Sequence, residues 1–163
     1  MAAYQERWGG LSLPPAPQYD GGPRYLDPDS PEADSAGWWF EAGTQRTAVS
    51  FSFLIGPSGE FGIQAEGGKW VPLHATIEGW VESLALAHEA SLGARQVTRL
   101  VGDDVDGLDL NGFAPMREVR GLADTWWRGP DSLVARYSGE ATAYDWPGGR
   151  IAVIYAGFDE GRR

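Results

Sequence analysis

The chain holds two histidines, His74 and His88, and no cysteine. That composition limits the available nitrogen bases and excludes a disulfide framework or a thiolate metal site. Neither histidine has a local partner: there is no His-Glu-x-x-His, no Gly-x-Ser-x-Gly elbow and no Walker loop. His88 falls beside the apolar stripe of a predicted helix and reads as a half-buried packing residue. His74 ends a predicted strand next to Leu73, where it would cap or bridge a loop. Backbone amides of a Gly-rich loop cradle phosphate when the loop opens a helix. Gly56-Pro57-Ser58-Gly59 and Gly67-Gly68 each join two predicted strands instead, so both are read as turns. No catalytic residue, cofactor or metal ligand is assigned, and the chain is read as a non-enzyme.

Two other groups could recognise a partner. Asp103, Asp104, Asp106 and Asp109 offer hard oxygen ligands, but an EF-hand needs acids at alternate positions with Gly at the sixth. Counted from Asp104, Gly107 is fourth and Leu108 fifth, so the register fails. The cluster is then either an acidic patch presented to a basic protein or a solvated loop. The pairs Trp38-Trp39 and Trp126-Trp127 are the second group. Neighbours on a strand face opposite ways, which sends one of each pair to the core and displays the other. A displayed Trp anchors a protein partner or stacks on a sugar; core packing, or holding down the N-terminal segment, is the alternative. These eight residues are the candidate partner-binding set.

The elements that must position them are legible in part. A length of 163 residues suits one domain, and 42% hydrophobic residues with eight Trp supply a core. Residues 1–46 are expected to form an extended lead-in, rich in Pro, Gly and Asp and held down by its aromatics. Residues 47–93 read as a three-strand meander plus a helix. Val49, Phe51, Phe53 and Ile55 alternate with small residues, Phe61, Ile63 and Ala65 repeat the pattern, and Trp70, Val71 and Leu73 follow. Loops this short make the strands antiparallel. Ile77, Trp80, Val81, Leu84, Ala87, His88 and Leu92 recur at helical spacing, with Thr76 as N-cap and Gly93 as stop, which predicts an amphipathic helix over about 77–92.

Residues 94–163 are expected to add strands at Met116–Arg120, Ser132–Ser138, Glu140–Tyr144 and Arg150–Ala156, the last two joined by Asp145-Trp146-Pro147-Gly148-Gly149 as a hairpin loop. Ile151 to Ala156 is apolar on both faces, which marks an interior strand. Whether these strands extend the first sheet or make a second layer stays open. The fold class is α+β: a mostly antiparallel sheet, one principal helix packed on it, and an extended N-terminal segment.

Net charge is −10, from 23 acidic and 13 basic residues. That field opposes a phosphate backbone and favours a basic protein partner, so nucleic acid is not expected as a ligand. The first residues carry no signal-peptide pattern, and no stretch reaches the roughly 18 apolar residues a membrane span needs. A cytoplasmic location and no membrane partner are expected.

Leu11-Ser12-Leu13-Pro14-Pro15, the hairpin from Ala48 to Ile63, Trp70-Val71-Pro72-Leu73-His74 and Trp80-Val81-Glu82-Ser83-Leu84 together resemble the SUKH superfamily, over roughly residues 8–93. The resemblance implies an α+β sheet backed by helices. It also implies the role of bacterial immunity proteins, which neutralise toxins such as nucleases by binding them, or of intracellular scaffolds. The expected function is therefore a non-catalytic, immunity-type protein-binding domain directed at a basic partner. The alternative is a small-ligand or carbohydrate-binding module using exposed Trp.

Overall fold

The computed structural model describes residues 1–158, and the structural statements below concern those residues. It is an α+β fold in which the strands form three antiparallel sheets.

The N-terminal region is more regular than its composition suggests. Helix α1 (Ala2–Trp8) turns Tyr4 inward, where its hydroxyl donates to Ala42 O (2.7 Å) and its ring meets Phe40 edge-on. Strands β1 (Leu11–Ser12), β2 (Pro23–Leu26) and β5 (Thr44–Gln45) make a small sheet, while β3 (Glu32–Asp34) and β4 (Gly37–Glu41) join the next one. The expected extended lead-in is thus a helix followed by short strands. Pro and Gly break it into pieces too brief to show a period of their own. Tyr19 and Leu26 are buried and tie this region down, whereas Tyr25 stays outside under the Arg24 guanidinium.

The meander follows as read: β6 (Phe51–Ile55), β7 (Phe61–Ala65) and β8 (Trp70–His74) complete a five-stranded sheet ordered β3-β4-β6-β7-β8. Gly59 (φ 87°) and Gly67 (φ 62°) occupy the left-handed region that the two turns require. Helix α2 (Ile77–Gly93) begins where Thr76 accepts the Gly79 N–H. Its inward stripe, Ile77, Trp80, Leu84, Ala87 and Ala90, is buried, and Trp80 sits 4.8 Å from the Phe61 ring. Burying Trp80 and Leu84 contributes about 1.5–3 kcal/mol each before entropy costs. Two readings by spacing are corrected here: His88, expected half-buried beside that stripe, and Leu92, expected on it, are both exposed. Gly93 is the last helical residue, and Ala94 turns the chain into extended backbone.

The remaining strands make a second five-stranded sheet rather than extending the first. It contains β9 (Gln96–Val101), β10 (Ala114–Pro115), β11 (Asp124–Arg128), β12 (Ser132–Tyr137) and β13 (Ile151–Ala156) in the order β10-β11-β12-β13-β9. Strand β13 is interior, as its two apolar faces foretell. Helix α3 (Asp103–Asp106) follows β9.

Two expected strands are absent. Met116–Arg120 is a loop whose buried residues, Met116 and Val119, stand three apart instead of alternating, with Arg120 N–H closing a turn on Arg117 O. Glu140–Tyr144 lies in and at the end of helix α4 (Gly139–Ala143), where Thr142 N–H bonds Ser138 O and Tyr144 N–H bonds Glu140 O, both at 3.0 Å. The segment after it is therefore not a hairpin loop. Trp146 N–H closes on Ala141 O, and a 3₁₀ turn (Pro147–Gly149) delivers the chain into β13.

Helix α2 meets both large sheets. Trp80 packs on Phe61 and His74 of the first, and the Ser83 hydroxyl accepts the indole N–H of Trp126 from the second (2.9 Å). A continuous set of buried side chains runs from Tyr4 and Leu13 through Phe53, Leu73 and Trp80 to Trp126 and Tyr155.

Candidate functional site

The structure assembles one polar cluster inside the core. Asp124, at the start of β11, is fully buried, and its Oδ1 accepts the Tyr19 hydroxyl at 2.5 Å. The Tyr19 oxygen in turn accepts the Gly139 N–H at 3.2 Å. His74 is equally buried, with Nε2 3.9 Å from Asp124 Oδ2, too far for a hydrogen bond. Both of those atoms lack a hydrogen-bond partner among the described residues. Burial pushes the Asp124 carboxyl up to about 7, although the bonds from Tyr19 and Ser138 pull it down. Burial also lowers His74 to about 4. Desolvation therefore favours neutral imidazole, and the pair is not an ion pair near neutrality. A His–Asp couple is the chemistry of a general base, and this one is sealed in the core, with His74 1% and Asp124 0% exposed. It serves as an anchor joining the N-terminal segment, β8, β11 and α4.

The candidate partner-binding residues fall into separate places. Asp103, Asp104 and Asp106 share α3 and are exposed; Arg150 Nη1 bonds Asp106 (2.7 Å) and Nη2 approaches Asp103 (3.6 Å). Asp109 lies beyond, where its carboxylate accepts the Asn111 N–H. Trp38 and Trp39 sit on β4 of the other large sheet, the first 66% exposed and the second half-buried. Trp126 is 1% exposed, stacked on Tyr155 and bonded to Ser83, so it belongs to the core and not to a contact surface. Its neighbour Trp127 is half-buried, with the indole N–H on Thr125. Alternation along β11 sorts that pair into inner and outer members.

Beside α3 lies a cleft that spacing did not reveal. Its volume is about 350 Å³, and its walls include Gln18, Asp20, Arg99, Val101, Glu140 and Trp146. Trp146 is 59% exposed and Val101 48%. The Arg99 guanidinium is held by Pro17 O (2.7 Å) and Gln18 Oε1 (2.8 Å), while Gln18 donates to Glu140. Desolvation and then the Asp20 charge raise the Glu140 carboxyl above its usual range. Gly102 links β9 to α3 with φ 60° and lies against Gly148, which brings the acids of α3 beside the Trp146 turn. A Trp immediately before Pro-Gly-Gly was the available signal, masked by reading the segment as a hairpin loop.

A second, apolar groove of about 760 Å³ runs between α1, β4 and the β6–β7 turn, with Trp38, Phe40, Ile55 and Pro57 among its walls. Arg7 and Glu78 pair across its rim at 2.8 Å. No family model matches the chain, and neither a curated protein nor a solved structure matches it. No helix among the described residues is long and apolar enough to cross a membrane.

Proposed function

We propose that this chain is a non-catalytic protein-binding domain of the immunity type, which neutralises a basic partner by occupying it. The observation that carries the reading is the exposed Trp146, which lines a cleft with Val101, while Gly148 of its turn lies against Gly102, the residue that leads into the exposed Asp103, Asp104 and Asp106. An aromatic anchor with charged groups around it is how protein interfaces concentrate affinity and steer encounter. The net charge of −10 supports a cationic partner. Neutralisation of a toxin-like protein in the cytoplasm is the role the SUKH resemblance implies.

The test is affinity capture from native cells with the wild-type chain and Trp146→Ala as parallel baits. A basic protein retained by the first and lost from the second supports the reading; equal retention, or no specific protein on either, overturns it. A second reading, a carbohydrate or other small ligand, is favoured by the exposure of Trp38 on the rim of the apolar groove. It predicts a glycan or metabolite that raises the melting temperature by mass action, with the effect lost in Trp38→Ala.

A further inference from the structure

Among the described residues, strand β9 forms one margin of its sheet, paired with β13 on one side only. The Gly102 N–H reaches Arg150 O (2.8 Å), and Val101 lies opposite Ile151. Antiparallel alternation then turns the backbone of Gln96, Thr98 and Leu100 toward β13 and that of Val97, Arg99 and Val101 outward. Other margins are closed or brief. On β8, Leu73 O accepts the N–H groups of Leu122 (2.6 Å) and Ala123 (3.3 Å), while β3 has three residues and β10 two. A row of unpaired main-chain groups is a template for another strand, and natural edges are usually blunted. This one displays Val97, 50% exposed, and Val101.

We propose that β9 receives an added strand from the partner: an extended segment bearing Lys or Arg at alternate positions. The inference rests on the protein-binding reading above and names the partner's recognition element. The side chains of Val97, Arg99 and Val101 lie on the same sheet face as their opposites Tyr155, Val153 and Ile151. One set of alternate side chains from the incoming strand therefore projects over the cleft, toward Asp20 and Glu140, and the strand's end meets Asp103 and Asp104. Against those carboxylates and Asp106 stand Arg99, held by the neutral oxygens of Pro17 and Gln18, and Arg150, paired with Asp106 and Asp103, so the carboxylates outnumber these guanidinium groups. Main-chain bonds supply affinity in this mode and alternate side chains supply selectivity. A second copy of the chain would bring the same acids against themselves.

The probe is a short capped peptide of alternating lysine and valine, prepared in three forms: unmodified, N-methylated at the lysines, and N-methylated at the valines. Binding is followed by amide exchange and chemical shift on labelled protein. The expected result is protection of the Val97, Arg99 and Val101 amides, with one N-methylated form weakened roughly tenfold or more while the other binds like the parent. Which form fails reports strand direction. Val97→Pro removes an outward N–H without touching the β13 ladder and should weaken binding similarly; if that variant does not fold, the peptide comparison decides alone. Equal binding by all three forms, no binding, or protection elsewhere overturns strand addition. Equal binding that Asp103→Asn, Asp104→Asn and Asp106→Asn together abolish sinks strand addition while leaving the protein-binding reading intact. Protection of β9 that grows with protein concentration in the absence of peptide would assign the edge to a second copy and overturn the proposal.

Discussion

The Tyr19 hydroxyl meets the Asp124 carboxylate at 2.5 Å across 105 residues of chain, inside a core from which water is excluded. One bond thereby fastens the N-terminal segment to the second large sheet. Gly139 adds its N–H to the same oxygen, and a Cβ there would fall 2.6 Å from it, so the backbone of α4 approaches as closely as only glycine permits.

Tyr19→Phe should therefore cost more than a lost hydrogen bond, because it takes the hydroxyl donor from the buried Asp124 carboxyl and the acceptor from the buried Gly139 N–H. The expected loss is about 1–3 kcal/mol in urea denaturation, with little effect on partner binding. A change under about 0.5 kcal/mol would show that the bond contributes nothing to the anchor.

The neighbouring His74 gives this core a pH signature. Asp124 is raised from 3.8 to about 7, so its contribution is present below the unfolded value and is lost as pH climbs through about 7. His74 is lowered from 6.5 to about 4, so its contribution is present above 6.5 and is lost as pH falls through about 4. Between those limits the two slopes oppose. Relative to wild type, Asp124→Asn should gain stability as pH rises from about 4 to about 7, and His74→Gln should lose stability as pH rises from about 4 to 6.5 and stay level above it. Urea titrations at stepped pH read both; curves parallel to wild type in both variants would refute the assignment.

The tryptophans should separate by position. Trp126→Ala removes a ring stacked on Tyr155 and bonded to Ser83, and should cost about 3–5 kcal/mol. Trp38→Ala, at an exposed site, should stay within about 0.5 kcal/mol. Similar losses in the two variants would contradict the burial pattern.

What the sequence revealed follows from how local each signal is. Thr76 capping Gly79, the alternation of Phe51, Phe53 and Ile55, and the doubly apolar β13 are patterns within one element, and each stands as read. Glu140–Tyr144 offers Ala at alternate positions, which fits a strand or a helix turn equally well until Gly139 docks on Tyr19. Strand β9 went unread because, as a sheet margin, its side chains are mostly exposed and show little contrast between faces. The acids of α3 were legible as a group. The cleft beside them was not, since it joins Gln18 and Asp20 to Arg99, Glu140 and Trp146 through tertiary packing alone. Asp124 gave no sign of burial, its partner lying far away at Tyr19.

The central claim is that the acidic face beside Trp146 binds a basic protein. Its most direct test is the affinity of the captured partner for wild type and for the variant with Asp103, Asp104, Asp106 and Asp109 all changed to Asn, titrated between about 50 and 300 mM salt. The account predicts weaker binding and a flatter salt dependence in the variant, with thermal stability nearly unchanged, since exposed charges contribute little to folding. Identical affinities and identical salt slopes in the two proteins would contradict it.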